Sequence, residues 1–269
     1  MKTRIISGII MGFIVALVLA AGFLWNSVVI TIAVALLSAG AIFELLHNAI
    51  KVTDKLSLIG AMFYSFLAVF MLEIGSAPPI SLICLFAVTT LYIVYSAIIV
   101  LKNHGDFDLA KIVSVFAIPI VYAFLFYSLG GIISGDKGIY YLLLLLNFSS
   151  VCDIGAYFAG SFLGKHKLCP KISPKKTIEG AIGGVVSSLI VSVILSLSFG
   201  ENVFITLGLT IPFCILGMIG DLFASSIKRS VDLKDYGKLI PGHGGILDRV
   251  DSIIMIAPLM YILILFSVI

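Results

Sequence analysis

Charge is scarce in this sequence. Asp, Glu, Lys and Arg make up 12% of its 269 residues, whereas hydrophobic residues make up 61%. Soluble domains usually carry about a quarter charged residues. Too little polar surface remains here to coat a water-facing globule, so the composition argues against a soluble enzyme. We predict one integral membrane domain, 1–269.

Cysteine is also scarce, with only Cys84, Cys152, Cys169 and Cys214, and no C-x-x-C pair. This pattern is not that of a disulfide framework, and it suits a reducing compartment or core packing. His166 and Cys169 have a spacing found in metal sites, but two ligands are too few to predict structural zinc.

What the sequence has in abundance is apolar runs of membrane-spanning length, separated by short polar breaks. A transmembrane strand would alternate over about ten residues, whereas these runs are longer and do not alternate. The sequence therefore predicts an all-α, polytopic transmembrane helical bundle of about nine spans. The runs are 5–24, 27–46, 56–73, 80–101, 112–132, 139–162, 180–198, 203–224 and 252–269.

The first run has an alternative interpretation, because Lys2 and Arg4 before an apolar stretch resemble a signal peptide. The run 5–24 is a full span rather than a short h-region. We therefore expect it to be retained as the first helix.

The basic residues are distributed unevenly over the loops. If nine spans are correct, sixteen of the seventeen Lys and Arg residues lie on one side of the membrane, and only Lys137 lies on the other. The positive-inside rule then places the N-terminus in the cytosol and the C-terminus outside. We expect an inner-membrane protein whose loops 163–179 and 225–251 face the cytosol. Residues 1–111 are predicted to be mainly scaffold helices, and 112–269 the catalytic half.

Acidic residues inside apolar runs are costly and usually functional. Asp153 interrupts the sixth run, and Asp221 lies near the cytosolic end of the eighth. The alternative is that each is paired with a lysine as a structural ion pair. Glu44 and Glu73 lie near the ends of their runs, where a carboxylate can reach the interface, so we expect no special role for them.

The loop before the seventh run combines Lys175, Lys176, Thr177 and Glu179 at the start of a helix. Backbone N–H groups at a helix start, with lysines beside them, form an anion site. A topogenic loop is the alternative, but it would need neither Thr177 nor Glu179. The glycines on either side indicate close helix packing: Gly160, Gly164, Gly180, Gly183 and Gly184.

The segment 225–251 is the richest in chemistry. Asp248 and Asp251 are three residues apart, so they share a face if the stretch is helical, and oxygen ligands suit Mg²⁺. The alternative is that Asp251 caps a helix and Asp248 is a surface charge. His243 lies among glycines in a turn where backbone can approach a ligand, so we expect it to contact substrate.

This segment resembles the signature of the phosphatidate cytidylyltransferases, also called CDP-diacylglycerol synthases. The match runs from Ser225-x-Ile227-Lys228-Arg229 through Lys234-Asp235 and Pro241-x-His243-Gly244-Gly245 to Asp248-Arg249-Val250-Asp251. Residues 173–180 and Asp153-x-x-Ala156-Tyr157 are similar to the family's other shared segments. In residues 1–111 the resemblance is only the many-helix pattern.

The resemblance implies the reaction of CTP with phosphatidate to give CDP-diacylglycerol and pyrophosphate, with Mg²⁺ and often in dimers. CTP, phosphatidate and the bilayer are then the expected partners, with no nucleic acid. The expected metal ligands are Asp221, Asp248 and Asp251, and Asp153 is a weaker fourth that orients a lysine or a second cation.

The remaining expected site residues would bind the two anionic substrates. Asp248, Lys176, His243 and Arg229 are assigned as catalytic. The substrate-binding set adds Lys175, Thr177, Lys228, Gly244, Gly245 and Arg249 to Lys176, His243 and Arg229.

Two rival functions remain at this point. A CTP-dependent lipid kinase would transfer a terminal phosphate rather than cytidylate, and the full match over 225–251 argues against it. A cation-coupled transporter would use Asp153 and Asp221. Transporters often show inverted repeats and broken helices at matching positions, and the sequence shows neither.

Overall fold

The computed structural model describes residues 2–71, 78–103, 105 and 107–268, and of residues 2–5, 78, 79, 81 and 82 it describes only the backbone. Glu73 lies outside the described residues. Ten α-helices account for most of the described chain. They are α1 (Lys2–Leu24), α2 (Val28–Phe43), α3 (Lys55–Phe70), α4 (Pro78–Lys102), α5 (Leu109–Ser134), α6 (Gly138–Leu146), α7 (Cys152–Leu163), α8 (Ile178–Phe199), α9 (Val203–Ser230) and α10 (Leu247–Leu265).

Two π-helical segments extend or join these helices. Glu44–Ala49 continues α2, and Asn147–Val151 connects α6 to α7. A π-helical turn holds one extra residue in the helix and is common at functional sites. Glu44 is the first residue of the first segment, and Asp153 lies two residues after the end of the second.

Seven helical segments of the described chain are long and apolar enough to cross a membrane. They are Ile6–Leu24, Val28–Ala49, Ile83–Lys102, Leu109–Ser134, Gly138–Leu163, Ile178–Phe199 and Val203–Ser230. The chain is thus a helical, polytopic membrane protein, as predicted. The other two predicted runs, 56–73 and 252–269, fall on α3 and α10. Because α3 has only 16 residues and α10 carries charges in its first turns, the count of nine spans stays a prediction.

The predicted loops differ from the structure in two places. Within 163–179, β1 (Lys167–Cys169) and β2 (Ser173–Thr177) form an antiparallel hairpin, a small addition to the all-α prediction. Within 225–251, α9 continues to Ser230, beyond its predicted end at 224. Lys228 and Arg229 lie in its last turn, where positive charge favours the helix dipole.

The chain divides into two compact units, Met1–Ser134 with Asp235–Arg249, and Gly135–Lys234 with Val250–Ile269. In the first unit, α2, α3 and α5 pack together around a core that includes Ile42, Leu46 and Tyr64. The rings of Tyr64 and Tyr92 stack at 4.3 Å, and the Tyr92 hydroxyl donates to the Val115 carbonyl at 2.6 Å. This packing does not test the prediction that residues 1–111 are mainly scaffold and residues 112–269 the catalytic half.

In the second unit, glycines bring α7 and α8 into close contact. A Cβ on Gly183 would lie 2.1 Å from the Cβ of Ala159, and one on Gly184 would lie 2.5 Å from the carbonyl oxygen of Cys152. A Cβ on Gly180 would lie 2.7 Å from the Ala156 carbonyl oxygen. The helix-packing role predicted for these glycines is confirmed. The close contact brings the Asp153 carboxylate of α7 near the start of α8.

A buried polar seam also joins the helices of the second unit. Ser188, Ser192 and Ser196 recur every fourth residue along α8 and are fully buried. The Asn147 amide donates to the Ser188 carbonyl at 3.1 Å and to the Ser192 hydroxyl at 2.9 Å, and that hydroxyl is 2.7 Å from the Thr210 hydroxyl. Such pairing satisfies polar groups that hydrocarbon cannot.

Candidate active site

A cleft of about 510 Å³ opens in the second unit between α7, the hairpin, the start of α8 and the middle of α9. Five residues predicted for the site line this cleft: Asp153, Lys175, Lys176, Thr177 and Asp221. Three separate segments of the sequence therefore meet in one place. The cleft combines cations for an anionic ligand with carboxylates for a cation.

Lys176 is the electrostatic centre of the cleft. Its ammonium nitrogen forms an ion pair with the Asp221 carboxylate and lies 3.9 Å from Asp153 Oδ1. Asp153 comes from α7 and Asp221 from α9, so two helices direct acidic groups at one cation. The ion-pair alternative raised for both aspartates is therefore the arrangement that this structure has, and it does not exclude a role in binding substrate or metal.

The hairpin and the start of α8 are held by side-chain acceptors. The Thr177 hydroxyl caps α8 by accepting from Gly180 N at 3.1 Å. Glu179 accepts from Lys165 N at 3.0 Å and from His166 N at 3.2 Å, and its Oε1 lies 2.6 Å from His166 Nδ1. The structure gives the Thr177 hydroxyl a capping role, and substrate binding by Thr177 stays a prediction. These bonds fix Lys175 and Lys176 at the cleft.

Other predicted residues of the second unit lie at the end of α9 and in α10. Lys228 is buried, and the Arg229 guanidinium donates to the Leu233 carbonyl at 2.8 Å, closing the turn that follows α9. Asp251 lies on the part of α10 that packs against α9. A Cβ on Gly220 would be only 3.1 Å from the Asp251 carbonyl oxygen. The residue after Gly220 is Asp221, so these two expected metal ligands lie on facing helices.

The remaining predicted residues belong to the first unit. His243, Gly244 and Gly245 lie in the turn 236–246 that precedes α10, and Asp248 and Arg249 lie in the first turn of α10. Asp248 Oδ2 accepts from Tyr236 N at 2.8 Å and from Gly245 N at 2.9 Å, which ties the two ends of the turn together. Gly242 and Gly244 have positive φ values of 79° and 85°, a backbone conformation that favours glycine. Ile240 N donates to the Gly244 carbonyl at 2.9 Å.

The same turn is held by residues that the sequence interpretation missed. The Ser7 hydroxyl donates to the Pro241 carbonyl at 2.8 Å and lies 2.9 Å from His243 Nδ1. Glu44 is 4% exposed and accepts from Ile246 N and Leu247 N, each at 3.0 Å. The sequence predicts no special role for Glu44, whereas the structure buries its carboxylate against two backbone donors. The signal that could have found it is an acid within an apolar run.

The predicted site residues are thus shared between the two units. Their meeting in one site stays a prediction. The second unit contains Asp153, Lys175, Lys176, Thr177, Asp221, Lys228, Arg229 and Asp251, and the first contains His243, Gly244, Gly245, Asp248 and Arg249.

The carboxylates of the cleft suit a divalent cation. Within the described part of the chain, no group of three or more His, Cys, Asp and Glu side chains forms a ready metal cluster. Asp153 and Asp221, however, already direct their oxygens at one positive group, the Lys176 ammonium. Carboxylate oxygen is the ligand type that Mg²⁺ prefers, so the donor set fits the ion.

Comparison with known proteins agrees with the chemistry of the cleft. The model of the cytidylyltransferase family matches residues 2–267. This chain belongs to that family. Among curated relatives, the phosphatidate cytidylyltransferase of Staphylococcus aureus strain COL is 37% identical over 273 residues, covering 99% of this chain and 100% of the relative. The phosphatidate cytidylyltransferase of Bacillus subtilis is 35% identical over 275 residues, covering 99% of each.

Proposed function

We propose that this protein transfers cytidylate from CTP to phosphatidate, giving CDP-diacylglycerol and pyrophosphate for phospholipid synthesis. The observation that carries the proposal is likeness over nearly the whole chain to proteins named phosphatidate cytidylyltransferase. The cleft supports it, because lysines and carboxylates suit two phosphorylated substrates and a cation.

The chemistry asks for little general-base catalysis. The phosphate of phosphatidate is a monoester whose second pKa is about 6, so it is largely a dianion at neutral pH. One of its oxygens attacks the α-phosphorus of CTP, and the bond from that phosphorus to the oxygen bridging it to the β-phosphorus breaks. Pyrophosphate leaves with that bonding pair. The barrier lies in bringing anions together and in the charge on the leaving group.

Fixed cations of the chain answer this barrier. Lys175 and Lys176 line the cleft, and we assign phosphate contacts to them and to Lys228, Arg229 and Arg249. His243, Gly244 and Gly245 are assigned to the nucleotide or its leaving group. Asp221, Asp248 and Asp251 would hold Mg²⁺, with Asp153 as a weaker fourth that orients Lys176 or a second cation. The bound ion would neutralise and polarise phosphate oxygens.

The membrane arrangement belongs to the same proposal. Nine spans would put the N-terminus and the site in the cytosol and the C-terminus outside, in the inner membrane. The phosphatidate tails would then stay in lipid while the headgroup enters the cleft. The homodimer implied by the family resemblance stays a prediction.

The reaction is tested with purified protein, phosphatidate and Mg²⁺, using CTP labelled either in cytosine or at the γ-phosphate. The proposal expects the cytosine label in the lipid product and one pyrophosphate released for each lipid. The γ-label in lipid would instead identify a CTP-dependent lipid kinase. Cation flux in vesicles without CTP turnover would identify a transporter.

Asp248→Asn tests the metal assignment. Asparagine keeps a carbonyl oxygen that can accept from Tyr236 N and Gly245 N, but it loses the negative charge. We expect transfer to fall by at least about a hundredfold, with unchanged elution on gel filtration. Equal rates for variant and wild type would remove Asp248 from the site.

A further inference from the structure

We infer that Glu44, in the predicted scaffold half, is the positioning residue for the turn 236–246 and for Asp248, which follows that turn at the start of α10. This inference rests on the proposed function. Glu44 is 4% exposed, and its two carboxylate oxygens are used separately. Oε1 accepts from Ile246 N and Oε2 from Leu247 N, each at 3.0 Å. The carboxylate therefore fixes two consecutive peptide groups of the signature segment.

These two peptide groups lie at the start of α10. The first N–H groups of a helix have no partner within it, and they carry the positive end of the helix dipole. An anionic acceptor that satisfies two of them sets both the start and the direction of the helix. Asp248 is the residue next to Leu247, so the position of its carboxylate follows from the bond that Leu247 makes to Glu44.

At Gly237 and Gly245, the Glu44 carboxylate leaves no room for a Cβ. A Cβ on Gly237 would lie 2.3 Å from Glu44 Oε1, and a Cβ on Gly245 would lie 2.3 Å from Oε2. The two glycines are at opposite ends of the turn, and Asp248 also links these ends through Tyr236 N and Gly245 N. Glu44 thus fills the space that the glycines leave.

A second contact from the same π-helical segment supports this role. Asn48, four residues after Glu44, donates its amide to the Tyr236 carbonyl at 2.7 Å. The segment Glu44–Ala49 therefore holds the turn at both ends, at Tyr236 through Asn48 and at Ile246 through Glu44. Glu44 contacts backbone rather than any reacting group, so its effect on the reaction passes through Asp248 and the glycine turn.

Isosteric and shortened variants test the inference. Glu44→Gln places an NH₂ group against a backbone donor, and Glu44→Asp is too short to bridge both N–H groups. We expect kcat to fall about a hundredfold for each, the size of loss that small misplacements produce, with KM for CTP changed less than about threefold. Glu201→Gln is the matched control, because Glu201 pairs with Lys137 at 2.7 Å in the other unit, and it should keep wild-type kcat.

The second measurement does not depend on activity. Trypsin can cut after Lys234, which precedes the turn, and after Lys238, which lies in it. We expect Glu44→Gln to be cut at these two sites about ten times faster than wild type and Glu201→Gln. Wild-type kcat in Glu44→Gln, or an unchanged cleavage rate, would overturn the positioning role. If wild-type protein makes no CDP-lipid, the proposed function fails, while the trypsin comparison still decides whether Glu44 holds the turn.

Discussion

At the residue scale, Lys176 differs from its neighbour Lys175 although both line the cleft. The Lys176 ammonium is shared by Asp153 and Asp221, whereas Lys175 has a largely exposed side chain at the cleft wall. A divalent ion would compete with this ammonium for the same two carboxylates. A cation bound between the aspartates would release the Lys176 ammonium from both ion pairs.

Lys176→Met tests this shared cation. Removing it leaves two carboxylates facing each other in a half-buried site, and we expect the free energy of unfolding to fall by about 1–2 kcal/mol, between the values for exposed and buried ion pairs. The check is Tm in detergent, with Lys175→Met as the matched control. A Tm that falls equally in both variants would show that the bridge does not stabilise the fold.

The residues of the cleft could be predicted because their cost is visible in the sequence. Asp153 and Asp221 interrupt apolar runs, and Lys175 and Lys176 crowd one short loop. Glu44 also interrupts an apolar run, but it lies near the end of that run, where a carboxylate can reach the membrane interface without a functional role. Its partners are 202 and 203 residues away, and no local pattern indicates them.

At the element scale, the cleft depends on how closely α7 and α8 approach each other. Gly155, Gly183 and Gly184 are the contact points, and each would place an added Cβ under 3.0 Å from the facing helix. The approach brings Asp153 on α7 beside Lys176 just before α8. Packing of small residues in the span thus sets the width of the cleft.

Gly183→Ala tests that packing. Its Cβ would lie 2.1 Å from the Cβ of Ala159, so the helices must separate, and we expect a loss of about 1–3 kcal/mol in the free energy of unfolding. The measure is the fraction that stays monodisperse after heating in detergent. Gly208→Ala on α9 is the control, since nothing lies within 4 Å of its added Cβ. Equal heat sensitivity of the two variants would contradict the packing role.

The elements that prediction missed are those with weak local signals. The hairpin strands have three and five residues and are rich in lysine, so they show no alternation of apolar side chains. The charges of Lys228 and Arg229 favour a loop, whereas α9 continues to Ser230. The apolar runs, by contrast, give the helices directly, since backbone groups in hydrocarbon must bond within their own segment.

At the scale of the whole molecule, the predicted orientation rests on the distribution of charge. Lys137 is the one basic residue predicted to lie outside, and its hydrogen bond to Glu201 raises the pKa of Lys137 above the usual lysine value. It therefore stays charged at neutral pH. The side of the membrane on which Lys137 lies therefore tests the predicted topology.

Cysteine labelling in intact cells tests the orientation. In a variant without the four native cysteines, Lys137→Cys should react with a membrane-impermeant maleimide, and Lys234→Cys should react only after permeabilisation. Ser267→Cys tests whether α10 crosses the membrane. Labelling from outside supports nine spans, and protection in intact cells would reject them. Protection of Lys137→Cys in intact cells would reverse the proposed orientation.

The contact of Glu44 with the start of α10 also constrains biosynthesis. Glu44 is translated 202 residues before Ile246. At roughly 5–20 residues per second, the ribosome needs about 10–40 s to supply that partner. The first unit includes Asp235–Arg249, so this unit is complete only after most of the chain has been translated. Nascent chains that end before Asp235 therefore hold the Glu44 carboxylate at the end of an apolar helix without its two backbone donors.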